Sequence, residues 1–88
     1  MEYELVISKP VQKQIDKLPP NIQIRVDAKV QSLKLVPRPD GVVKMKGCEN
    51  EYCIRVSDYR VRYSLDDEGY VVRILYCGHR KEIYKDNS

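Results

Sequence analysis

The feature that most restricts what this chain can fold into is a change of hydrophobic period near residue 50. Upstream, Val11, Ile15 and Leu18 recur at i, i+4 and i+7, and Ile22, Val26, Val30 and Leu33 keep a similar spacing. Downstream, Tyr52, Ile54 and Val56 alternate with Cys53, Arg55 and Ser57, and Tyr59, Val61, Tyr63 and Leu65 alternate with Arg60, Arg62 and Ser64. The first rhythm buries one stripe of a helix; the second buries one face of a strand. No single element satisfies both. The chain therefore has to lay helices against a half-buried sheet.

Punctuation residues divide the two halves further. Tyr3, Leu5 and Ile7 alternate with Glu2, Glu4 and Val6, which predicts a first strand. Ser8 can cap the helix that follows, and Pro10 is tolerated in its first turn, where the backbone N–H has no intrahelical partner. Pro19-Pro20 ends that helix, and a second runs from about Asn21 to Leu35. So tight a break predicts an antiparallel αα-hairpin. "VPRPDG" (36–41) is a loop, "DDEG" (66–69) a turn, and "YVVRILYC" (70–77) a third strand of a meander. Adjacent on a tight turn, Asp66, Asp67 and Glu68 read as solvated carboxylates and not as metal ligands. The expectation is one α+β domain over residues 1–88, in the order β-α-α-β-β-β. It has a four-stranded antiparallel sheet with the N-terminal αα-hairpin packed on one face.

Composition narrows the function classes. Hydrophobic residues at 42% and charged residues at 33% suit a globular domain that buries a core. No apolar run approaches the roughly 20 residues of a membrane span, and "MEYELVISK" lacks the charged-then-apolar order of a signal peptide. The expected location is cytoplasmic, with no membrane partner. Three cysteines, Cys48, Cys53 and Cys77, are too few for a disulfide framework, and with His79 they form no C-x2-C zinc motif. Neither metal nor cofactor is expected. A net charge of +3 is mild, so the placement of the cations matters more than their number.

Alternation predicts that placement. With Ile54, Val56, Val61 and Tyr63 toward the helices, Arg55, Arg60 and Arg62 project to the other face. In the next strand Val72, Ile74 and Tyr76 continue the apolar set, which sends Arg73 and Cys77 to the arginine side. Lys44, Lys46, His79, Arg80, Lys81 and Tyr84 rim that face. Arginines on a wet sheet face are ordinary when cross-strand carboxylates neutralise them, but the strand bodies offer no acidic residue there. An anionic partner is therefore expected. RNA fits. Its 2′-OH can attack the adjacent phosphate without metal, given cations for the developing charge and groups to move protons. Arg60 and Arg80 suit the electrostatic part, and His79 can exchange a proton near neutrality. Tyr84 can do so only with a lowered pKa, and a structural tyrosine is the alternative.

These residues carry a resemblance. "YCIRVSDYRVRYSLDDEGYVVRILYCGHRKEIY" resembles the C-terminal core of the RelE group within the RelE/ParE toxin superfamily. The preceding "KMKG" is similar to that group's basic loop, and the element order fits throughout. "YRVRY" and "GHRKEIY" are the most specific parts. The resemblance implies a toxin that enters the ribosomal A site and cleaves mRNA without metal. It also implies a cognate RelB-like antitoxin that holds the toxin inactive and represses the shared operon, so that operator DNA is met only through the antitoxin. By position, Arg60 and Arg80 match arginines implicated in phosphate binding and transition-state stabilisation. Tyr84 matches a tyrosine that orients substrate or assists proton transfer, and Arg55 takes the place of a basic catalytic residue. Lys44, Lys46, Arg62, Arg73 and Lys81 are expected to bind RNA or ribosome. One departure stands out: Cys53 occupies a position where the best-known members carry a lysine proposed as base, which makes His79 a stronger candidate for that role.

Three functions compete at this point. The first is a ribosome-dependent endoribonuclease. The second is a ParE-like gyrase inhibitor of the same fold without nuclease chemistry. The third is a plain RNA-binding module, disfavoured because alternation buries most of the tyrosines that would stack bases. The combined set of Arg60, Arg80 and Tyr84 favours the nuclease.

Overall fold

The computed structural model describes residues 2–47, 49–79 and 81; Arg80 and Tyr84 lie outside the described residues. The elements are β1 (Glu4–Ile7), α1 (Lys9–Asp16), α2 (Pro20–Ser32), β2 (Val43–Lys44), β3 (Glu51–Val56), β4 (Tyr59–Asp66) and β5 (Val71–His79). The strands form one sheet in the order β1-β5-β4-β3-β2. The α+β class is as expected.

The sheet departs from the four-stranded antiparallel expectation in two ways. Val43–Lys44 adds a fifth strand beside β3, and β1 runs parallel to β5, with Glu4 opposite Val71 and Ile7 opposite Ile74. A two-residue strand is too short to display alternation. Strand direction leaves no mark on alternation either, because parallel and antiparallel strands share the period of two. Everything between β1 and β5 serves as the long crossover that a parallel pair needs.

Pro19-Pro20 does more than end α1. Pro20 opens α2 at the position where a missing N–H costs nothing, and the Pro19 carbonyl accepts from Ile22 and Gln23 N–H at 2.9 Å each. The Gln23 side chain then donates to the carbonyls of Asp16 and Leu18, both at 2.9 Å, satisfying acceptors left open at the end of α1. One short junction thus terminates one helix, starts the next and joins them.

The core lies between the helices and one sheet face. Val11, Ile15, Leu18, Ile22, Val26, Val30 and Leu33 meet Ile54, Val56, Val61, Tyr63, Leu65, Val72 and Ile74. Tyr63 is fully buried, and its hydroxyl donates to the Pro37 carbonyl at 2.7 Å, so its one polar atom is satisfied. Burial pushes that phenol's pKa well above its usual value. At the same end Arg38 grips Asp67 through two hydrogen bonds (2.7 and 3.2 Å), donates to Tyr52 at 3.0 Å and lies over that ring. Tyr3 donates to the same carboxylate at 2.7 Å. The loop after α2 is thereby tied to the β4–β5 turn.

A β-bulge corrects the side-chain assignment along β5. Below it Tyr63 pairs with Ile74; above it Arg62 pairs with Tyr76, so Leu75 is the extra residue. One inserted residue reverses every later side chain. Cys77, expected on the arginine side, is buried in the core opposite Val61, and Tyr76, expected in the core, comes to the arginine side opposite Arg62.

Candidate functional site

The face of the sheet turned away from the helices carries the arginines, in rows set by cross-strand register. Arg55 on β3 lies directly opposite Arg60 on β4, and Arg60 lies directly opposite Gly78 on β5. The two side chains thus leave the same face from directly opposed positions, and Gly78 contributes no side chain to crowd them. Among the described residues neither has a carboxylate within ion-pairing distance. Like charges directly opposite each other weaken a sheet, so this arrangement costs stability until an anion sits between them.

The next row differs. Arg62 donates to Glu51 at 2.8 Å, and both side chains are largely shielded from solvent. This corrects the expectation that no acidic residue reaches this face. Glu51 begins β3 and shares its side with Cys53 and Arg55, so extending the alternation one step upstream would have found it. Among the described residues the buried Nε of Arg62 has no hydrogen-bond partner. Arg62 is therefore held in place by Glu51 and is not a freely offered cation. Arg73 is exposed one row further along, opposite Ser64 and beside Val6.

Cys53 faces the same side, between Tyr52 and Ile54, and is half-buried. Burial raises its thiol pKa, and the attraction of Arg60 and Arg62 works against that shift without reversing it. The thiolate is therefore disfavoured, and Cys53 makes a poor base.

The rim residues separate. Lys46 lies in an exposed turn and Lys81 is exposed just beyond β5. Lys44 pairs with Tyr52, which stacks on the core residue Tyr63, so the register sets Lys44 on the helix side. His79 also lies there: it pairs with Tyr59, their rings meet edge to face at 5.4 Å, and its Nδ1 accepts the Lys81 backbone N–H at 3.3 Å. The bulge is the reason, because it reverses the side on which each residue after Leu75 emerges. The structure brings Arg55, Arg60, Arg62 and Arg73 to one face and keeps His79 and Lys44 off it. Arg80 and Tyr84 lie outside the described residues.

Comparison with known proteins adds the family. The profile described as the ParE toxin of the type II toxin–antitoxin system parDE matches residues 5–84. The chain belongs to the RelE/ParE toxin superfamily. The RelE1 protein of Methanocaldococcus jannaschii is 26% identical over 89 residues, covering 98% of this chain and 99% of that protein. RelE in the archaeal RelE–RelB complex from Pyrococcus horikoshii OT3 is 32% identical with a TM-score of 0.81, covering 91% of this chain and 97% of the other. A variant of the E. coli toxin RelE in the free state gives 26% identity and a TM-score of 0.79, covering 97% and 93%. The RelE/ParE fold, with its five-stranded sheet and helical pair, is therefore shared across nearly the whole chain. Among the described residues no group of His, Cys, Asp and Glu side chains could hold a metal ion, and no helix is long and apolar enough to cross a membrane.

Proposed function

We propose that this RelE/ParE-superfamily toxin is a ribosome-dependent endoribonuclease that cuts mRNA in the ribosomal A site. The substrate's own 2′-OH attacks the adjacent phosphate, with no metal. The observation that carries the reading is the Arg55–Arg60 pair beside Gly78, two adjacent cations with no carboxylate within reach among the described residues. Such a pair suits a phosphate whose charge grows as the 2′-oxygen bonds to phosphorus and the 5′-oxygen leaves. Arg80 and Tyr84 enter on the sequence resemblance, Arg80 as a further phosphate cation and Tyr84 as the group that orients substrate or moves a proton. Arg73, Lys46 and Lys81 supply exposed positive charge for the RNA backbone and the ribosome, whereas Arg62, expected to join them, is neutralised by Glu51 and contributes little. His79 receives no proton-transfer role at a phosphate over Arg60, because it emerges on the other side of the sheet.

A cognate RelB-like antitoxin belongs to the proposal, supported by similar structures that are themselves RelB–RelE antitoxin–toxin complexes. So does action in the cytoplasm, where ribosomes are found. The test is primer extension on mRNA bound to ribosomes with an empty A site, with and without the purified protein. A discrete cut within the A-site codon is the expected result. The ParE description of the family profile favours a second reading, inhibition of DNA gyrase by protein binding. Absence of a cut, together with inhibition in a gyrase supercoiling assay, would establish that reading instead.

A further inference from the structure

The open face is ordered in rows across the sheet, one row for every two residues of β4, or ~6.8 Å. One row holds Arg55, Arg60 and Gly78, the next Cys53, Arg62 and Tyr76, and the third Glu51, Ser64 and Arg73. β4 is the middle strand of the five, so Arg62 stands at the centre of the face. Among the described residues Arg55, Arg60 and Arg73 have no carboxylate within ion-pairing distance, and Arg62 alone of the four has one. The central cation is the neutralised one.

Glu51 reaches Arg62 diagonally from the neighbouring row, at 2.8 Å, and both side chains are largely shielded from solvent. A run of phosphates passing along β4 from Arg60 toward the row of Arg73 crosses Arg62 and meets a guanidinium already held by a carboxylate. The pair leaves part of Arg62 unused: a guanidinium has five N–H donors, and its buried Nε has no partner among the described residues. Phosphate and carboxylate both fit the guanidinium fork, so each competes for it. Phosphate can take Arg62 only by leaving Glu51 unpaired beside a second anion, and like charges so placed repel.

We infer that Glu51 is a specificity-determining residue: by occupying Arg62 it withholds the central cation from RNA, so that RNA free in solution is held weakly and RNA already positioned on the ribosome is favoured. The inference rests on the RNA reading above and deepens it, tying the dependence on the ribosome to a residue of this chain.

The test is binding of a short 2′-O-methyl RNA oligonucleotide, which lacks the attacking hydroxyl, to the purified full-length protein over a range of salt concentrations. Glu51→Gln is expected to bind about three- to tenfold more tightly than the unsubstituted protein, with a log–log salt slope steeper by about 0.7, the value of one further phosphate contact on a single strand. In side-chain NMR the Arg62 Nε–H signal is expected to move on RNA addition in Glu51→Gln and to stay in place in the unsubstituted protein. Adding Arg62→Met to Glu51→Gln is expected to abolish the gain. If Glu51→Gln fails to fold, Glu51→Asp, which keeps the charge and withdraws it by one methylene, carries the test with a smaller gain. Unchanged affinity and slope in the Glu51 variant, or an Arg62 signal that moves equally in both proteins, overturns the inference. The measurement needs neither ribosome nor cleavage, so its failure leaves A-site cleavage standing, and failure of cleavage leaves the binding result standing.

Discussion

The two faces of this one sheet treat arginine and tyrosine in opposite ways. On the helix-covered side Tyr63 is wholly buried with its hydroxyl donated to Pro37, and at the edge Arg38 has its charge answered by Asp67 and its plane by Tyr52. On the open side Arg55 and Arg60 stand opposite each other without a carboxylate in reach among the described residues. Between these extremes, Arg62 is paired with Glu51. The first face is satisfied within the fold; in the proposed function the second is where the anionic substrate binds. An uncompensated cation pair is a local loss of stability that an anionic substrate reverses on binding.

The largest effect belongs to Tyr63. Tyr63→Ala removes a fully buried ring and is expected to cost about 3–5 kcal/mol in chemical denaturation. A cost below about 1 kcal/mol would mean that the helix-side core does not carry the fold. Glu51→Gln comes next. Without the carboxylate a shielded guanidinium loses its charged partner, so stability should fall by about 1–2 kcal/mol, and Arg62 should become more sensitive to salt.

The buried thiol sharpens the same contrast through pH. Burial pushes the Cys77 thiol up to about 11 from an ordinary value near 9, with Asp27 adding to the shift. A group held neutral in the fold stabilises it below the unfolded pKa and loses that contribution as pH rises from about 9 toward 11. Tyr63 carries the same sign at higher pH. Unfolding followed against pH should therefore show an alkaline loss in this window that shrinks in Cys77→Ala.

On the open face the signs invert. Arg55→Ala should leave stability unchanged or raise it by about 0.2–1 kcal/mol, because it relieves like-charge repulsion. A loss comparable to that of Glu51→Gln would show a structural partner for Arg55. The smallest effect belongs to the β3–β4 hairpin, where Ser57 holds φ at 56°. Ser57→Gly should raise the unfolding free energy slightly, by less than about 1 kcal/mol, since glycine adopts that conformation without a Cβ clash.

How much of this was legible depended on the kind of information. Alternation at 52–56 and 59–65 and the helical stripes gave the layers and the core, because period and burial are one fact. It also put Arg55 and Arg60 on one face, since Arg55 lies between the buried Ile54 and Val56, and Arg60 between the buried Val61 and Tyr59, which packs against the core. Alternation failed at Leu75, where one inserted residue reversed Tyr76, Cys77 and His79, and no glycine or proline marks that position. It failed for β1 because direction is invisible to a period of two, and for β2 because two residues have no period. The hydrogen bond from the Cys77 backbone N–H to the Gln14 side chain was out of reach, since the two are 63 residues apart and meet only through the crossover.

In the proposed function the open arginine face acts on the transition state of RNA cleavage and not merely on binding. The most direct measurement is single-turnover cleavage of mRNA on ribosomes with an empty A site by Arg60→Ala, with ribosome affinity measured in parallel. The account predicts a fall in cleavage of about 10²–10³-fold with affinity within a few-fold of the unsubstituted protein. Cleavage unchanged, or cleavage and affinity lost in equal measure, would contradict it.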